Sequence, residues 1–378
     1  MTESDRSSVP PATGQGYRVP SSHPGAVLEP LEGVSRRVGL VPLSERLAEL
    51  RGWLADDLGD LERAIQATTD LADTAESDAE MGDLAARAAR YLLARPGKRI
   101  RPLCVLLGAR LGGRTLDRGV RDLAIACELV HNATLLHDDV IDEGTERRGA
   151  PTARMVFGNS ASVLAGDRLL VHALQLTEGV GHRRLLSELL DTISDMVGAV
   201  AIQLELRGRL VADRDVYLRV VQGKTARLFR WALMAGGTAG GLEGEALLDI
   251  GRCGTALGVA FQLMDDVLDV AGDPLTTGKD VLADLREGKL TWPFILACER
   301  DPGLLDVMAK ALDDAVSIGP TAAAPIIERV RRTGAVEATR EFAEAQAAVA
   351  RTALRTLPDS VARRAMEAVI DSAVSRKS

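Results

Sequence analysis

HDDVID at residues 137–142 and MDDVLD at residues 264–269 are two close copies of one acidic pattern, each at the end of a long apolar run. In both copies the first and last aspartates are four residues apart. This spacing puts their carboxylates on one face of a helix, about 6 Å apart along its axis. Carboxylates at that spacing repel each other unless a cation lies between them and a ligand. The repeat therefore predicts two helices whose acidic faces meet across one cavity.

The sequence around both patterns is helical in character. Leu, Ala, Arg and Glu dominate it, and apolar residues recur at spacings of three and four. Asp213 or Asp215 is a suitable cap for a helix that the Gly236-Gly237 pair is expected to end. Sustained alternation and hairpin dipeptides are nearly absent, so strands are not expected. We predict an all-α fold, a single large helical bundle around a central cavity, over residues 41–378.

Composition sets the class of protein. The chain has 378 residues, 46% of them hydrophobic, which is enough for one large core. Its net charge of -8 and the lack of a basic stripe argue against a nucleic-acid partner. No apolar run approaches the ~18 residues that a membrane span needs. Residues 1–40 are rich in Pro, Ser and Gly and lack the apolar core of a signal peptide, so we expect a disordered tail and a cytoplasmic protein.

The cysteines are far apart and form no CxxC pair. Disulfides and zinc binding are therefore not expected. We predict four buried, reduced thiols, at Cys104, Cys127, Cys253 and Cys298.

The acidic patterns are suited to magnesium. Mg²⁺ takes oxygen ligands at roughly 2.0–2.1 Å and is usually held by one or two carboxylates together with substrate phosphates. The alternative, a solvated acidic helix end, is open for one copy taken alone. Two copies, both embedded in apolar sequence, argue against it, because a solvated face is not normally placed that way. We therefore expect two carboxylate faces that hold a diphosphate through several metal ions.

Basic residues on short glycine-containing segments suggest the same ligand. They are GKRIRP at 97–102, Arg147 and Arg148, Lys224 after Gly223, and Lys279 after Gly278. Lysine and arginine bind phosphate oxygens, arginine in a bidentate manner. Taken singly, each residue is more often a surface charge. Together with two acidic faces they predict a site for two diphosphates.

Two histidines lie beside the first acidic pattern. His131 precedes Asp138 by seven residues and so shares its helical face. A binding role and a structural role are equally open for His131. His137 points away from that face and is expected to be structural.

These segments resemble the bacterial trans-polyprenyl diphosphate synthase family from about Arg95 to Pro293. The matching stretches are GKRIRP (97–102), HNATLLHDDVIDEGTERRGAPT (131–152), GKTA (223–226), FQLMDDVLD (261–269) and DLREGKLTWP (284–293). The resemblance implies an all-trans isoprenyl diphosphate synthase. Such a prenyltransferase is a homodimer that joins isopentenyl diphosphate to an allylic diphosphate with the help of magnesium.

The resemblance also implies roles by position. The expected magnesium ligands, for three ions when diphosphate is bound, are Asp138, Asp142 and Asp265. The expected isopentenyl diphosphate site consists of Lys98, Arg101, His131 and Arg148. The allylic diphosphate and its developing charge are expected to meet Arg147, Lys224, Thr225, Gln262 and Lys279. Residues with supporting or less certain duties are Asp139, Asp266, Asp269 and Lys289.

Two departures from the family pattern leave the expected ligands in place. Residues 198–200 read Gly-Ala-Val before Gln203, where the family often has Glu-Gly-Glu. Asp280 follows Lys279, where the family usually has proline. These departures bear on rate or metal affinity.

Product length is expected to depend on the helix that carries the first pattern. A helical turn rises about 5.4 Å, close to the reach of one isoprene unit, so side chains one or two turns before Asp138 should set the floor of the product tunnel. Val130, Ala133 and Thr134 are small or medium in size there, and only 3% of the chain is aromatic. We expect geranylgeranyl diphosphate or a longer product.

Two other readings are weaker. A class I terpene cyclase would replace the second acidic pattern and needs aromatic side chains to stabilise carbocations. A non-catalytic subunit of a heteromeric synthase would have lost aspartates or lysines. The sequence also has no Ser-His-Asp or Cys-His arrangement, which is consistent with proton release to the departing diphosphate.

Overall fold

A computed structural model of the chain describes residues 41–70, 83–95, 97–271, 282–313 and 320–375. These ranges are helical apart from one hairpin of two-residue strands, β1 (Glu146–Arg147) and β2 (Ala150–Pro151). The predicted all-α bundle is confirmed. The predicted tail at residues 1–40, together with Lys279 and Asp280, lies outside the described residues.

Seventeen helices are described. They are α1 (Val41–Trp53), α2 (Ala55–Asp70), α3 (Leu84–Leu93), α4 (Ile100–Leu111), α5 (Arg118–Ile141), α6 (Ala153–Phe157), α7 (Asn159–Gly179), α8 (Arg183–Glu205), α9 (Arg214–Val221), α10 (Arg227–Ala239), α11 (Gly244–Ala271), α12 (Ala283–Arg286), α13 (Trp292–Arg300), α14 (Gly303–Asp313), α15 (Pro320–Arg332), α16 (Ala335–Leu354) and α17 (Val361–Val374). A π-helical turn, Gln222–Ala226, joins α9 to α10.

Two long helices, α5 and α11, carry the acidic patterns near their C-terminal ends. The N-terminus of α5 is capped by Asp117, whose carboxylate accepts a hydrogen bond from Val120 N at 2.9 Å. Helix α5 packs along α7, and α11 packs along α10 and α16. Buried residues of α11 belong to both apolar clusters of the bundle, so this helix connects the two parts of the core.

Helices α4 and α10 approach each other closely through glycines. A Cβ added at Gly236 would lie 2.0 Å from the carbonyl oxygen of Val105, and one added at Gly108 would lie 2.6 Å from that of Leu233. Only glycine leaves room for these contacts. The prediction that Gly236 and Gly237 end a helix is therefore wrong: α10 continues to Ala239, because the glycines serve packing and not termination.

The sequence predicted another helix boundary correctly. Asp213 caps α9, and its side chain accepts hydrogen bonds from Asp215 N at 2.8 Å and Val216 N at 3.0 Å. All four cysteines are buried and free, as predicted. No helix within the described ranges is long and apolar enough to cross a membrane.

Candidate active site

A cavity of about 170 Å³ is lined by side chains of α8, α9, the π-helical turn, α11 and the segment before α13. Two lysines on its wall reach the first acidic pattern. Lys224 Nζ lies 3.2 Å from Asp138 Oδ2, and Lys289 Nζ lies 2.8 Å from Asp142 Oδ2. Asp266, from the second pattern, lines the same cavity. The end of α11 therefore lines the cavity, and two lysines of its wall connect it to the carboxylates at the end of α5.

The π-helical turn places Lys224 and Thr225. Such turns widen a helix by one residue and are frequent at functional sites. Gly223 lies against α8, where an added Cβ would be 2.7 Å from that of Ala199. Lys224 Nζ also donates to Gln203 Oε1 at 3.1 Å. Lys224 thus lies between an amide oxygen of α8 and a carboxylate of α5.

Gln262 and Thr225 form one end of a hydrogen-bonded chain. The Thr225 hydroxyl donates to Gln262 Oε1 at 3.0 Å, and Gln262 Nε2 donates to Asp266 Oδ1 at 2.9 Å. Asp266 also accepts from the Tyr217 hydroxyl and from Trp292 N at 3.4 Å. Because Asp266 holds the amide nitrogen of Gln262, the amide oxygen is turned toward Thr225.

Asp266 is buried, whereas a carboxylate that binds a metal ion must be accessible to it. It is only 1% exposed, and burial together with the charge of Asp284 raises its pKa well above the usual value. Tyr217 shows a similar shift, since burial and the neighbouring carboxylate raise the pKa of its hydroxyl. Asp266 therefore orients Gln262 and packs against Tyr217.

Asp139 supports Arg147. Arg147 Nε lies 2.7 Å from the buried Asp139 Oδ1, and burial raises the pKa of Asp139 while Arg147 opposes that shift. Arg147 belongs to β1, and the β1–β2 turn consists of Arg148 and Gly149, both at positive φ (54° and 71°). Two positive φ values are what a tight two-residue hairpin requires. This hairpin was not predicted, because arginine rarely adopts this conformation.

The basic loop before α4 is held by a buried charge network. Arg99 has a φ of 45° and is 3% exposed. Its guanidinium pairs with Glu128 of α5 and, at 3.3 Å, with Glu62 of α2. Asn132 Nδ2 donates to Glu128 Oε1 at 2.9 Å. Sequence reasoning missed this network, since Arg99 lies among phosphate-binding candidates and Glu128 lies in an apolar run.

The same loop carries two of the expected binding residues. Lys98 is exposed beside Arg99. The guanidinium of Arg101 lies over the Phe229 ring, 4.6 Å from its centroid. Burial lowers the pKa of Arg101, and the charges of Glu128 and Asp265 are among those that oppose this shift.

His131 lies among these cations. Burial, followed by the charges of Arg101 and Arg148, lowers the pKa of His131 well below its usual value. The imidazole is therefore neutral near pH 7 and has one N–H to donate. Arg148 is nearby, because a Cβ added at Gly97 would lie 3.4 Å from its guanidinium nitrogens. The structure places the second histidine, His137, on the other side of α5 against Val163 of α7.

The residues expected to set product length differ in exposure. Thr134 is partly exposed on the helical face that also carries His131 and Asp138, and its hydroxyl donates to the His131 carbonyl at 2.8 Å. Val130 and Ala133 are fully buried in the core. Of the three side chains, only that of Thr134 has solvent-accessible surface that a growing isoprenoid chain can contact.

Arg207 is a site residue that the sequence did not reveal. Its guanidinium donates to the carbonyl oxygens of Ile141, at 2.7 Å, and of Asp142, at 3.5 Å. A cation at the C-terminal end of a helix stabilises the exposed carbonyls there. Arg207 also precedes Gly208, whose nitrogen would be 2.6 Å from a Cβ at Gly288. This contact joins the end of α5 to the loop that carries Lys289.

The carboxylates suit a magnesium ion that they share with the phosphates of a substrate. Within the described part of the chain, no three His, Cys, Asp or Glu side chains stand close enough to hold a metal by themselves. Asp138, Asp142 and Asp265 nevertheless supply the hard oxygen donors that Mg²⁺ prefers. Magnesium usually completes its shell with water and substrate phosphates, so a cage made of protein atoms alone is not required.

Comparison with known proteins places the chain in a family. The polyprenyl synthetase family model matches residues 83–319. Octaprenyl diphosphate synthase of Escherichia coli is 38% identical over 291 residues, which cover 76% of this chain and 88% of that enzyme. A polyprenyl synthase from Caulobacter crescentus, in complex with calcium and isoprenyl diphosphate, is 34% identical with a TM-score of 0.79, covering 88% of this chain and 98% of that one.

A decaprenyl diphosphate synthase from Rhodobacter capsulatus is also similar, at 33% identity and a TM-score of 0.77 over 87% of this chain and 98% of that one. The all-helical bundle is the shared architecture. The chain belongs to the polyprenyl synthetase family and is a prenyltransferase.

The charge network under the basic loop can be tested by substitution. Glu128→Gln leaves the buried Arg99 without its main partner, so the free energy of unfolding should fall by about 3 kcal/mol. Glu328→Gln is the control, because Glu328 forms an exposed pair with Arg332 that should contribute under about 0.5 kcal/mol. Urea denaturation measures both. Equal, small losses would show that Arg99 does not depend on Glu128.

Proposed function

We propose that this prenyltransferase is an all-trans isoprenyl diphosphate synthase that extends an allylic diphosphate with isopentenyl diphosphate. The observation that carries the proposal is the meeting of Asp138 and Asp142 with Lys224 and Lys289 at one cavity. This cavity offers carboxylates for metal ions and ammonium groups for phosphate oxygens. A diphosphate with bound divalent cations satisfies both sets of charges.

The proposed metal is magnesium, held by Asp138, Asp142 and Asp265 as three ions together with the diphosphate. When bound, magnesium supplies the positive charge that stabilises a leaving diphosphate. The calcium and isoprenyl diphosphate bound to the Caulobacter relative support a divalent cation at such a site.

The chain's own cations would act on the same leaving group. Negative charge grows on the allylic diphosphate as its C–O bond breaks, and donors already aimed at it lower the barrier. Lys224 and Lys289 line the cavity, and Arg147 is paired with Asp139 of the first acidic pattern. We propose that these residues, with Lys279, bind the allylic diphosphate.

Oxygen dipoles are proposed to stabilise the allylic cation that remains. Thr225 and Gln262 both line the cavity, and Asp266 keeps the Gln262 oxygen on the Thr225 side. The double bond of isopentenyl diphosphate then attacks the cation. The proton lost afterwards passes to the released diphosphate.

The second substrate is proposed to lie at the start of α4. Lys98, Arg101 and Arg148 supply positive charge there, and neutral His131 supplies a hydrogen-bond donor. Fixing the diphosphate of isopentenyl diphosphate at this end would orient its double bond toward the allylic carbon.

The carboxylate pair of α5 provides the direct test. Asp138→Ala with Asp142→Ala should reduce magnesium-dependent condensation by at least about 100-fold, because the magnesium ions that bind the diphosphate lose two carboxylate ligands. Asp56→Ala with Asp60→Ala is a matched control, since these aspartates are also four apart on a helix but are exposed on α2. Diphosphate release and radiolabelled product report the rate. Near-normal condensation by the α5 double variant would end the proposal.

We propose a product longer than geranylgeranyl diphosphate. The relatives described above are named octaprenyl and decaprenyl diphosphate synthases, and the face of α5 before Asp138 carries Thr134 and no Phe, Tyr or Trp. The short and medium side chains in this region leave room for extension.

Thr134→Phe should shorten the product by one or more isoprene units, because the ring enters the face shared with Asp138. Ala133→Phe is expected to shorten it as well, but Ala133 is fully buried and the ring also costs about 1–3 kcal/mol of packing energy. Thr352→Phe, on the exposed face of α16, is the control. Chromatography of the products measures chain length. Farnesyl diphosphate as the natural product, or unchanged product lengths in both variants, would contradict the proposal that side chains before Asp138 set product length. Cyclic hydrocarbons would instead indicate a terpene cyclase.

We also propose a homodimer. Helices α7 and α8 expose large apolar side chains at seven-residue spacing, which marks one face of each helix. They are Leu164 and Val171 on α7, and Leu190, Val197 and Leu204 on α8. Val197 is 65% exposed. Such a patch is typical of an interface.

Light scattering should give the purified chain twice its 40.2 kDa mass. Leu164→Glu with Val197→Glu should shift it to the monomer, because two charges would be buried at the interface. Val349→Glu changes an equally apolar exposed residue of α16 and should leave the dimer intact. A dimer that survives the double substitution would place the interface elsewhere.

Two further expectations accompany the proposal. The partners are small diphosphate substrates and not nucleic acid, as the net charge of -8 indicates. Four buried, unpaired cysteines suit a reducing compartment, which supports a cytoplasmic location.

A further inference from the structure

We infer that Arg95 is an additional ligand of the isopentenyl diphosphate, binding its phosphate oxygens together with Arg148. This inference rests on the proposed function. It adds a guanidinium that lies before the GKRIRP segment and is not part of it.

Arg95 is held in place by Tyr91 of α3. Its guanidinium carbon lies 3.6 Å from the centroid of the Tyr91 ring, and its Nη1 donates to the Tyr91 carbonyl at 2.9 Å. A guanidinium has five N–H donors in a fixed plane. The hydrogen bond to Tyr91 is the one it makes to described residues, and no carboxylate there pairs with it. The side chain is half-buried, so its position is fixed while most of its donors stay available.

Tyr91 also connects Arg95 to the hairpin that carries Arg148. The Tyr91 hydroxyl donates to the Pro151 carbonyl of β2 at 2.8 Å, and its ring packs edge-on against Phe157. Arg148 is at the turn of that hairpin. One tyrosine therefore fixes both the arginine stacked on its face and the strand beside the other arginine.

The two guanidinium groups belong to one cationic cluster. Gly97, two residues after Arg95, lies against both Arg99 and Arg148, since an added Cβ would be 3.3 Å from Arg99 Nη1 and 3.4 Å from the Arg148 nitrogens. Burial lowers the pKa of Arg148, the charge of Glu128 opposes that shift, and the charges of Arg99, Arg147 and Arg95 add to it. Arg99 is neutralised by Glu128 and Glu62, whereas Arg148 forms no ion pair with the described residues.

The arginines of this cluster outnumber its two acids, Glu128 and Glu62, and a bound anion reduces the repulsion between the remaining positive charges. A diphosphate group has several oxygens and multiple negative charges, and it accepts bidentate hydrogen bonds from two guanidinium groups at once. Arg95 and Arg148 border the loop with Lys98 and Arg101, so the anion that suits them is the diphosphate proposed for that end of the site.

The test measures steady-state kinetics of Arg95→Ala with isopentenyl diphosphate varied at saturating allylic diphosphate. Loss of one charged hydrogen-bonding group should raise the KM for isopentenyl diphosphate by about tenfold or more. The KM for the allylic diphosphate and kcat should stay within about twofold. Arg95→Lys keeps the charge but not the planar fork and should raise the same KM by a smaller factor.

Arg87→Ala is the matched control, because Arg87 also lies over an aromatic ring of this region, 5.6 Å from the Phe157 centroid, and is exposed on α3. It should leave every kinetic constant unchanged. An unchanged KM for isopentenyl diphosphate in both Arg95 variants, or an equal rise in both KM values, would overturn the inference. A wild-type chain that performs no condensation would instead contradict the proposed function.

Tyr91→Phe separates direct binding from support of the hairpin. It keeps the ring under Arg95 and removes the hydrogen bond to Pro151. Direct binding predicts a much smaller rise in the KM for isopentenyl diphosphate than in Arg95→Ala. A rise as large as that of Arg95→Ala would show that Arg95 acts only through the hairpin and would also overturn the inference.

Discussion

The candidate site depends on carboxylates and cations that lie close together beside one cavity. Asp138 and Asp142 are four residues apart, and each contacts a lysine from a distant part of the chain, at 3.2 and 2.8 Å. These pairs satisfy the charges when no ligand is bound. We propose that they exchange on binding, because a metal-bound diphosphate offers positive charge to the carboxylates and oxygens to the lysines.

A layer of buried polar contacts behind the cavity maintains this arrangement. Asp266 fixes Gln262, Asp139 fixes Arg147, and Glu128 fixes the loop through Arg99. Each of these acids is nearly inaccessible to solvent, at 1–2% exposure, so it cannot itself bind substrate. Breaking one partner of a buried pair leaves an uncompensated charge, which makes these contacts rigid supports for Gln262, Arg147 and the loop before α4.

Much of this architecture was predictable from local sequence. Helical spacing, the capping aspartate at 213 and the two acidic patterns indicated the helical bundle and the position of the cavity. The contacts that were not predicted join residues far apart in sequence: Arg207 to Ile141, Tyr217 to Asp266 and Arg99 to Glu128. Nothing in the neighbourhood of any of these residues identifies its partner. The prediction that Gly236 ends a helix was wrong for a related reason, since glycine is favoured both where helices pack closely and where a helix ends.

The most direct measurement is anomalous diffraction from crystals grown with Mn²⁺ and a non-reactive allylic diphosphate analogue. The account predicts manganese peaks bound by Asp138 and Asp142 and by Asp265, bridged by the diphosphate, with Lys224 and Lys289 turned from the carboxylates to its oxygens. Manganese found elsewhere, or a diphosphate bound in the cavity with both lysine–aspartate pairs intact and no metal beside them, would contradict it.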